Sequence, residues 1–497
     1  MTTNVSPGVY SSEIDLSLYL PQLSSAILGT ANTFTKGPVN KRTLITSPDQ
    51  LTTTFGGPNP NSQGYYALRE FLRKGNQIWA VRVAHAATLA TASVDAVDGS
   101  AANTLVFSPI NPGSGWNGYQ VILTSGTSTG RKISVVDPNG ILLETFDNIL
   151  KANAEANING ISKYITVVNI TSGAPGEPVN QTLTLSGGND GITGLTDGDV
   201  IGSSASGAQT GLELLRDTDA VDINIVHATG FASTAINQEL IDIAQSRSDT
   251  LGIIDPPLGL SVQDVVNWHN GLSPGDFAYN SSYAALYWSW QTIQDTVNSL
   301  QVELAPSAFA AEIMAYTDAV TQPWFAPAGL NRGILTASLG SEISPNQGDR
   351  DLLYSPGNNV NPIVDFTAEG STIWGQKTLQ RAPTSLDRVN VRRMLLTLEK
   401  QVATVCKFLV FEQNDPVMWR KFTGLVQPVL NTMIAGQGLN QGLAVMNSQT
   451  NTPDVVGQNR AAGKIYLEPT LTAEQIELSF VVTPQGTSFQ ELIASGS

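Results

Sequence analysis

Three segments near the start, Ser24-Ser-Ala-Ile-Leu-Gly-Thr-Ala31, Gln63-Gly-Tyr-Tyr-Ala-Leu-Arg-Glu-Phe-Leu-Arg-Lys74 and Gln77-Ile-Trp-Ala-Val-Arg-Val83, decide how the chain is read. The first reads as a buried strand ending in small residues. After it, Phe55-Gly-Gly-Pro-Asn-Pro-Asn61 is a long turn. The second segment places Ala67, Leu68, Phe71 and Leu72 on one helical face, and Gly75 is positioned to stop the helix. The third is again a strand. Strand, helix and strand in this order make an α/β unit.

The same alternation returns downstream. Asp222-Ile-Asn-Ile-Val226 reads as a strand, 236–247 as a helix showing Ile236, Leu240, Ile243 and Ala244, and Leu251-Gly-Ile-Ile-Asp255 as a strand closed by Pro256-Pro257. Ser261 can cap a helix over 261–269, 283–290 is an aromatic strand, and 306–318 is a helix opened by proline. Such alternation implies a mostly parallel sheet covered on both faces. Glycine- and asparagine-rich connections are expected over 333–361. Between the two α/β stretches, from about 86 to 195, the chain is rich in Thr, Ser, Gly, Asn and Val. Short strands are predicted at 104–107, 120–124, 132–136, 164–169 and 182–185. Tight turns are predicted at Trp116-Asn-Gly-Tyr119 and Asp137-Pro-Asn-Gly140. This region reads as a small all-β domain inserted at a surface loop.

The clearest periodicity lies in the last quarter. Val391, Met394, Leu395, Leu398, Val402, Val405, Cys406 and Leu409 form one apolar helical stripe. Asp415 is the expected N-cap and Pro416 the first residue of a second helix showing Phe422, Leu425, Val426, Val429, Leu430 and Met433. Pro428 should kink it. Strands are expected at 464–468 and 475–483. In the latter, Ile476, Leu478, Phe480 and Val482 share one face, and Glu477, Ser479, Val481 and Thr483 the other. Residues 1–20 read as an arm: Pro7-Gly8 breaks the chain, Val9-Tyr10 can extend, and Glu13-Ile14-Asp15-Leu16 alternates.

Of 497 residues, 42 are Asp or Glu and 26 are Lys or Arg, a net charge of -16. Such a chain is poorly suited to wrapping a nucleic-acid backbone or docking on an anionic membrane. Only 14% of residues are charged, so uncharged polar side chains must cover most of the surface. One cysteine excludes an intramolecular disulfide and, with three histidines, argues against a Cys/His metal centre. There is no secretory-signal pattern at the start and no apolar run of 18 residues, so a soluble protein without stable membrane insertion is expected.

No catalytic constellation emerges. His85, His227 and His269 stand apart, Cys406 lies on the apolar stripe, and no GxGxxG or GxxxxGK[ST] loop is present. Asp255 closes a strand, where α/β enzymes often place an active group, but two prolines follow and it reads as a terminator. No catalytic, cofactor-binding or metal-binding residue is expected, and no cofactor. Arg388, Arg392 and Arg393 cluster near the start of the long C-terminal helix. They form either a salt-bridged helix face or a patch that docks an acidic surface.

Both ends of the chain resemble the contractile tail sheath proteins of large tailed bacteriophages. The resemblance rests on Asn390-Val-Arg-Arg-Met-Leu-Leu-Thr-Leu-Glu-Lys400, Phe408-Leu-Val-Phe-Glu-Gln-Asn-Asp-Pro-Val-Met-Trp419, Gly463-Lys-Ile-Tyr-Leu-Glu-Pro469 and Ala473-Glu-Gln-Ile-Glu-Leu-Ser-Phe-Val-Val-Thr483. At the other end it rests on Pro7-Gly-Val-Tyr10 and the run from Phe55 through Gly75 into Trp79-Ala-Val-Arg-Val83. The resemblance implies six-membered rings or a six-start helix around an inner tail tube, contraction that drives the tube through the host envelope, and exchange of terminal arms between copies. Baseplate and tail terminator proteins are further implied partners, with no direct nucleic-acid contact. The implied location is the virion, after assembly in the host cytoplasm. A sheath of a bacterial contractile injection particle is the alternative.

The expected fold class is an α/β scaffold with an inserted all-β domain, a C-terminal α+β module and extended N- and C-terminal arms. The expected divisions are an exchange arm at 1–20, a first scaffold part at 21–85, an outward-facing β domain at 86–195, a main α/β domain at 196–380 that the resemblance likens in shape to subtilisin, a sheath module at 381–483 and a second arm at 484–497. Candidate subunit or tube contacts are Val9, Tyr10, Glu13 and Ile14 in the first arm, Arg388, Arg392 and Arg393 on the helix, Glu477 and Ser479 on the receiving strand, and Phe489 in the second arm.

Overall fold

A computed structural model describes residues 26–272 and 276–478. The opening α/β unit folds as read. β1 (Ile27–Asn32) is buried along its whole length. After β2 (Arg42–Ile45), the Ser47 side chain caps α1 (Pro48–Phe55) by accepting the Gln50 N–H. α2 (Gly64–Phe71) ends where Gly75 N–H reaches the Phe71 carbonyl at 2.7 Å. β3 (Gln77–Arg82) then pairs in parallel with β1, and β2 lies antiparallel on its other side.

From Val94 to Thr184 the chain builds two antiparallel sheets. The strands are β4 (Val94–Val97), β5 (Asn103–Pro109), β6 (Gln120–Ser125), β7 (Arg131–Val136), β8 (Leu142–Ile149), β9 (Ile165–Asn169) and β10 (Gln181–Thr184), with α3 (Ala154–Ile158) before β9. They are ordered β4-β5-β9 and β10-β6-β7-β8. Leu105, Phe107, Val121, Ile133, Val135 and Val167 share a core between them. Both predicted turns form: Gly140 N–H reaches the Asp137 carbonyl at 3.0 Å, and Tyr119 N–H the Trp116 carbonyl at 3.3 Å. β4 and β8 were not predicted. β8, Leu-Leu-Glu-Thr-Phe-Asp-Asn-Ile, buries only its last residue, so its alternation is blurred.

The α/β pattern resumes after α4 (Asp197–Ile201), with β11 (Ile225–His227), α5 (Thr234–Arg247), β12 (Leu251–Ile254), α6 (Val262–His269) and β13 (Ala284–Trp288). β14 (Gln291–Asp295) and β15 (Leu300–Leu304) precede α7 (Pro306–Val320), and β16 (Ser338–Ser341) joins them in a small side sheet. α8 (Gln347–Leu353), β17 (Val360–Phe366) and β18 (Gly370–Ile373) follow. The stretch 333–361, expected to be connections, therefore contains a strand, a helix and the first two residues of β17. α8 is held by a capping box between Asn346 and Asp349, which outweighs its glycine-rich surroundings.

These strands complete an eight-stranded sheet in the order β18-β17-β13-β12-β11-β1-β3-β2. All pairings from β17 to β3 are parallel, and both edge strands are antiparallel. Each face has its own core. Leu28, Ile78, Ile225, Ile253 and Tyr287 pack under α1, α2 and α7, while Ile27, Val81, Val226, Ile254 and Leu286 pack under α5 and α6. The alternation of side chains along each strand sorts them.

Because α7 is enclosed almost all round, it carries Glu312 into the core beside Glu70 of α2, with Arg73 Nε 3.9 Å from Glu312 and 3.6 Å from Glu70. Burial, then the Glu70 charge, push the Glu312 carboxyl up to about 7. The folded-state value lies above that of the unfolded chain, about 4.3. Between these values the native state holds a proton the unfolded chain has lost, so this group's contribution to stability falls as pH rises. The gain in unfolding free energy from Glu312→Gln should accordingly be about 2 kcal/mol larger at pH 8 than at pH 5. Urea unfolding at both pH values checks this, and a pH-independent difference would contradict it.

In the last quarter, α9 (Val389–Cys406) and α10 (Pro416–Ala435) pack on a hairpin-like pair, β19 (Leu439–Val445) and β20 (Lys464–Pro469), with α11 (Pro453–Gly457) between the strands. Asp415 caps α10 by accepting the N–H groups of Val417 and Met418 at 2.9 and 2.8 Å. The helix runs on through Pro428 to Ala435. α9 serves two cores: Val391, Met394 and Leu398 face α10, while Val389 and Leu396 join the core beneath α7. The strand expected at 475–483 does not form over 475–478, and 479–483 lie outside the described residues. A strand requires a neighbour to complete its ladder, and 475–478 have no described strand beside them.

Candidate functional site

The carboxyl ends of the parallel strands, the usual ligand position in such sheets, hold a closed polar cluster. Asp255, just beyond β12, accepts the Ser307 N–H at 2.9 Å, the Ser307 hydroxyl at 2.6 Å and the Gly230 N–H at 3.1 Å. Ser307 lies in the first turn of α7, whose unsatisfied N–H groups favour an anion. Its Oγ also lies 3.1 Å from Thr229 Oγ1, which lies 2.8 Å from His227 Nδ1.

Serine, histidine and carboxylate thus come together, in a geometry unlike that of a hydrolase. The serine contacts the acid directly and reaches the imidazole only through Thr229, whereas nucleophile activation needs the base on the serine. Asp255, His227 and Ser307 are all buried. Burial pushes the Asp255 carboxyl up to about 6 against the pull of its N–H and hydroxyl donors, and His227 down to about 3. What this arrangement does is pin α7 to the strand ends. Sequence reasoning found Asp255 and His227 separately but missed Ser307 and Thr229. The Pro306-Ser307 helix start was the available signal.

A second constellation is open to solvent. Beyond β20, residues 471–478 cross to the main body, where Glu474 collects donors from three separate parts of the chain. Arg388 grips it with two bonds, Nε to Oε1 at 2.7 Å and Nη2 to Oε2 at 2.9 Å; the Tyr354 hydroxyl and Gln376 Nε2 each donate to Oε1 at 3.1 Å. Gln376 Nε2 also donates to Thr472 Oγ1 at 2.6 Å. Burial, with the Glu474 charge beside it, raises the Tyr354 phenol well above its ordinary value, so it remains a donor. Leu471, Thr472 and Glu474 form one wall of a cavity of about 210 Å³ opposite 383–390. Elsewhere on the same module the surface carries apolar side chains. Leu443 and Tyr466 stand exposed directly across the β19–β20 pair, and Phe408, Val410 and Phe411 are exposed at the turn between α9 and α10.

Among the described residues, no group of His, Cys, Asp and Glu could hold a metal ion, and no helix is long and apolar enough to cross a membrane. No family model matches the sequence. The tail sheath protein of Enterobacteria phage T4 is 28% identical over 333 residues, covering 64% of this chain and 49% of its own length. That of Vibrio phage KVP40 is 28% identical over 306 residues, covering 57% of this chain and 45% of that protein.

The chain is similar in sequence to phage tail sheath proteins.

It spans about half the length of the curated sheath proteins it matches. Solved sheath structures share its fold. The sheath tail protein of Desulfitobacterium hafniense gives a TM-score of 0.59 at 12% identity, covering 89% of this chain and 94% of that one. The contracted sheath of PVC, an extracellular contractile injection system, gives 0.56 at 15% identity, covering 97% and 98%.

The residues predicted to make sheath contacts fall into three groups. Val9, Tyr10, Glu13, Ile14, Ser479 and Phe489 lie outside the described residues. Arg388 and Glu477 lie at the solvent-facing constellation, Arg388 in the grip on Glu474 and Glu477 exposed three residues beyond it. Arg392 and Arg393 are a correction. Both are buried, Arg392 stacked 4.1 Å from the Tyr283 ring and bonded to Ser282, Arg393 paired with Asp318 at 2.6 Å. α9 packs on the main body as well as on α10, so these arginines bind it inward and offer no open patch to an acidic partner.

Proposed function

We propose that the chain is a structural subunit of a contractile tail sheath. It polymerises around an inner tail tube and contracts to drive that tube through the host envelope. Its partners are further copies of itself, the tube, the baseplate and the tail terminator, and its place is the virion after assembly in the host cytoplasm. The observation that carries this reading is the match to the phage T4 tail sheath protein over 64% of the chain. Further support comes from the main body: the carboxyl ends of its sheet are filled by the Asp255–Ser307 lock, which suits a structural role.

On this reading 86–195 form an outward-facing domain, 21–85 and 196–380 the scaffold, and 381–483 the sheath module. Residues 1–20 and 484–497 are arms that pair with neighbouring copies. The two-stranded β19–β20 sheet supports the arm assignment, since β20 has one described neighbour and leaves backbone groups for another strand, whereas on β19 the Gln427 side chain takes the Gly442 carbonyl and the Ala444 N–H. Many moderate contacts repeated along a tube then hold the assembly.

A specific observation favours a second reading, a sheath of a contractile injection particle. The chain shares its fold with the contracted PVC sheath, a contractile injection system, at a TM-score of 0.56. Electron microscopy of the purified protein tests both readings, which expect tubes or stacked rings. Deleting 1–20 should leave a folded monomer that makes no tubes. Tubes of normal yield from that truncation would remove the arm-exchange assignment.

A further inference from the structure

The grip on Glu474 sets where the chain leaves the body. Among the described residues, the hydrogen bonds of 471–478 run through two side chains, Thr472 and Glu474. The partners of these side chains, Tyr354, Gln376 and Arg388, belong to neither β19 nor β20, so the segment departs from its own sheet. Immediately beyond, Ile476 is 80% and Leu478 74% exposed.

Once 474–478 extend as a strand, alternate residues share a face, so Glu474, Ile476 and Leu478 go together, and the same spacing continues in sequence through Phe480 and Val482. A slip of one residue would send every apolar side chain to the opposite face. A bidentate carboxylate–guanidinium pair has a fixed planar geometry, and here it is reinforced by two neutral donors. It therefore acts as a register pin placed just ahead of the alternation.

We propose that Glu474 is a positioning residue for self-association: clamped by Arg388, it fixes the register in which Ile476 and Leu478 meet a second copy of the chain. A second copy is the occupant because each copy carries a β19–β20 pair in which β20 has no second described strand beside it, while the Gln427 amide holds the Gly442 carbonyl and Ala444 N–H of β19, and an exposed Leu443–Tyr466 pair. Such an edge can cover an apolar strand face that the segment's own body leaves bare. This inference rests on the sheath reading above and adds the residue that sets the register.

The test compares wild type, Glu474→Gln, and the exchange Glu474→Arg with Arg388→Glu, all as full-length chains. Three measurements are made: monomer unfolding by urea, self-association by sedimentation, and tube formation by electron microscopy. Glu474→Gln should unfold at the wild-type midpoint yet need about tenfold more protein to associate, and the charge exchange should recover most of that loss. Association of folded Glu474→Gln at the wild-type concentration would overturn the proposal. So would an exchange that folds and recovers nothing. Tubes that form independently of Glu474 overturn the pin and leave the sheath reading standing. Glu474-dependent association that yields no tubes keeps the pin and removes the sheath.

Discussion

Replacing Arg393 with alanine is expected to lower the unfolding free energy by about 3–5 kcal/mol, the usual cost of stripping one partner from a buried ion pair. Arg393 and Asp318 are 4% and 5% exposed, and they join the first turns of α9 to the last turns of α7. Without the guanidinium, the Asp318 carboxylate must either stay charged in a poorly solvated site or take up a proton, and both are costly. The neighbouring Val389 and Leu396 lie in the same core as α7, so little water can enter to relieve it. Replacing both partners, Arg393→Met with Asp318→Leu, should recover most of the loss, because an apolar pair of similar shape carries no desolvation cost. Urea unfolding of dilute monomer gives both values. A single-site cost below about 1 kcal/mol, the scale of a surface pair, would mean that the helix face is wetter than its geometry implies.

Arg393 also shows what the sequence could not reveal. The stripe from Val391 to Val405 marks one buried face of α9, and a single stripe leaves the remaining positions looking solvated. The second buried face is carried by Val389 and Leu396, seven residues apart, too sparse a pattern to stand out, and its counter-charge sits 75 positions upstream. Local periodicity found the scaffold because each strand and helix declares itself within a few turns: Ser261 capping α6, Asp415 capping α10, Gly75 closing α2. β19 was missed because Leu-Asn-Gln-Gly-Leu-Ala-Val alternates poorly and its partner β20 lies beyond α11. The solvent-facing constellation was missed for a related reason. Glu474 and Arg388 are 86 positions apart, and only the folded chain returns one to the other. Of that site, sequence reading supplied Arg388 without its partner, and Glu477 without the carboxylate that does the gripping.

Replacing Arg82 with methionine should cost about 3–5 kcal/mol and loosen the junction between the eight-stranded sheet and residues 94–184. Arg82 closes β3 and is completely buried. Its Nη1 donates to the carbonyls of Gly37 at 2.7 Å and Pro112 at 2.6 Å, and its Nη2 to that of Asp190 at 3.2 Å. Burial pushes its pKa down to about 10, with Asp190 working against the shift, so it is charged at neutral pH. Hydrogen bonds from a charged donor contribute about 1.5–3 kcal/mol each, and methionine would leave all three carbonyls without that donor. The junction has no slack to absorb the change. Gly113 lies so close to Thr35 that a Cβ on it would meet the Thr35 carbonyl oxygen at 2.1 Å, and its φ of 144° favours glycine in any case. Beside it the buried Lys36 ammonium sits 4.6 Å from the Trp116 ring centroid and donates to the Tyr119 hydroxyl at 3.1 Å. Arg82→Lys should recover only part of the loss, since a compact ammonium cannot reproduce the planar fork that reaches carbonyls on three separate loops. The core of Leu105, Phe107, Val121 and Ile133 does not depend on this contact, so the damage should be local first. Hydrogen exchange of Arg82→Met should accelerate over 110–115 and 188–192 well before it does over 120–136. Uniform acceleration across 94–184 would instead mean that the region has no stability apart from the sheet. This lock ties the Pro112 and Asp190 carbonyls, on either side of 120–184, to the end of β3.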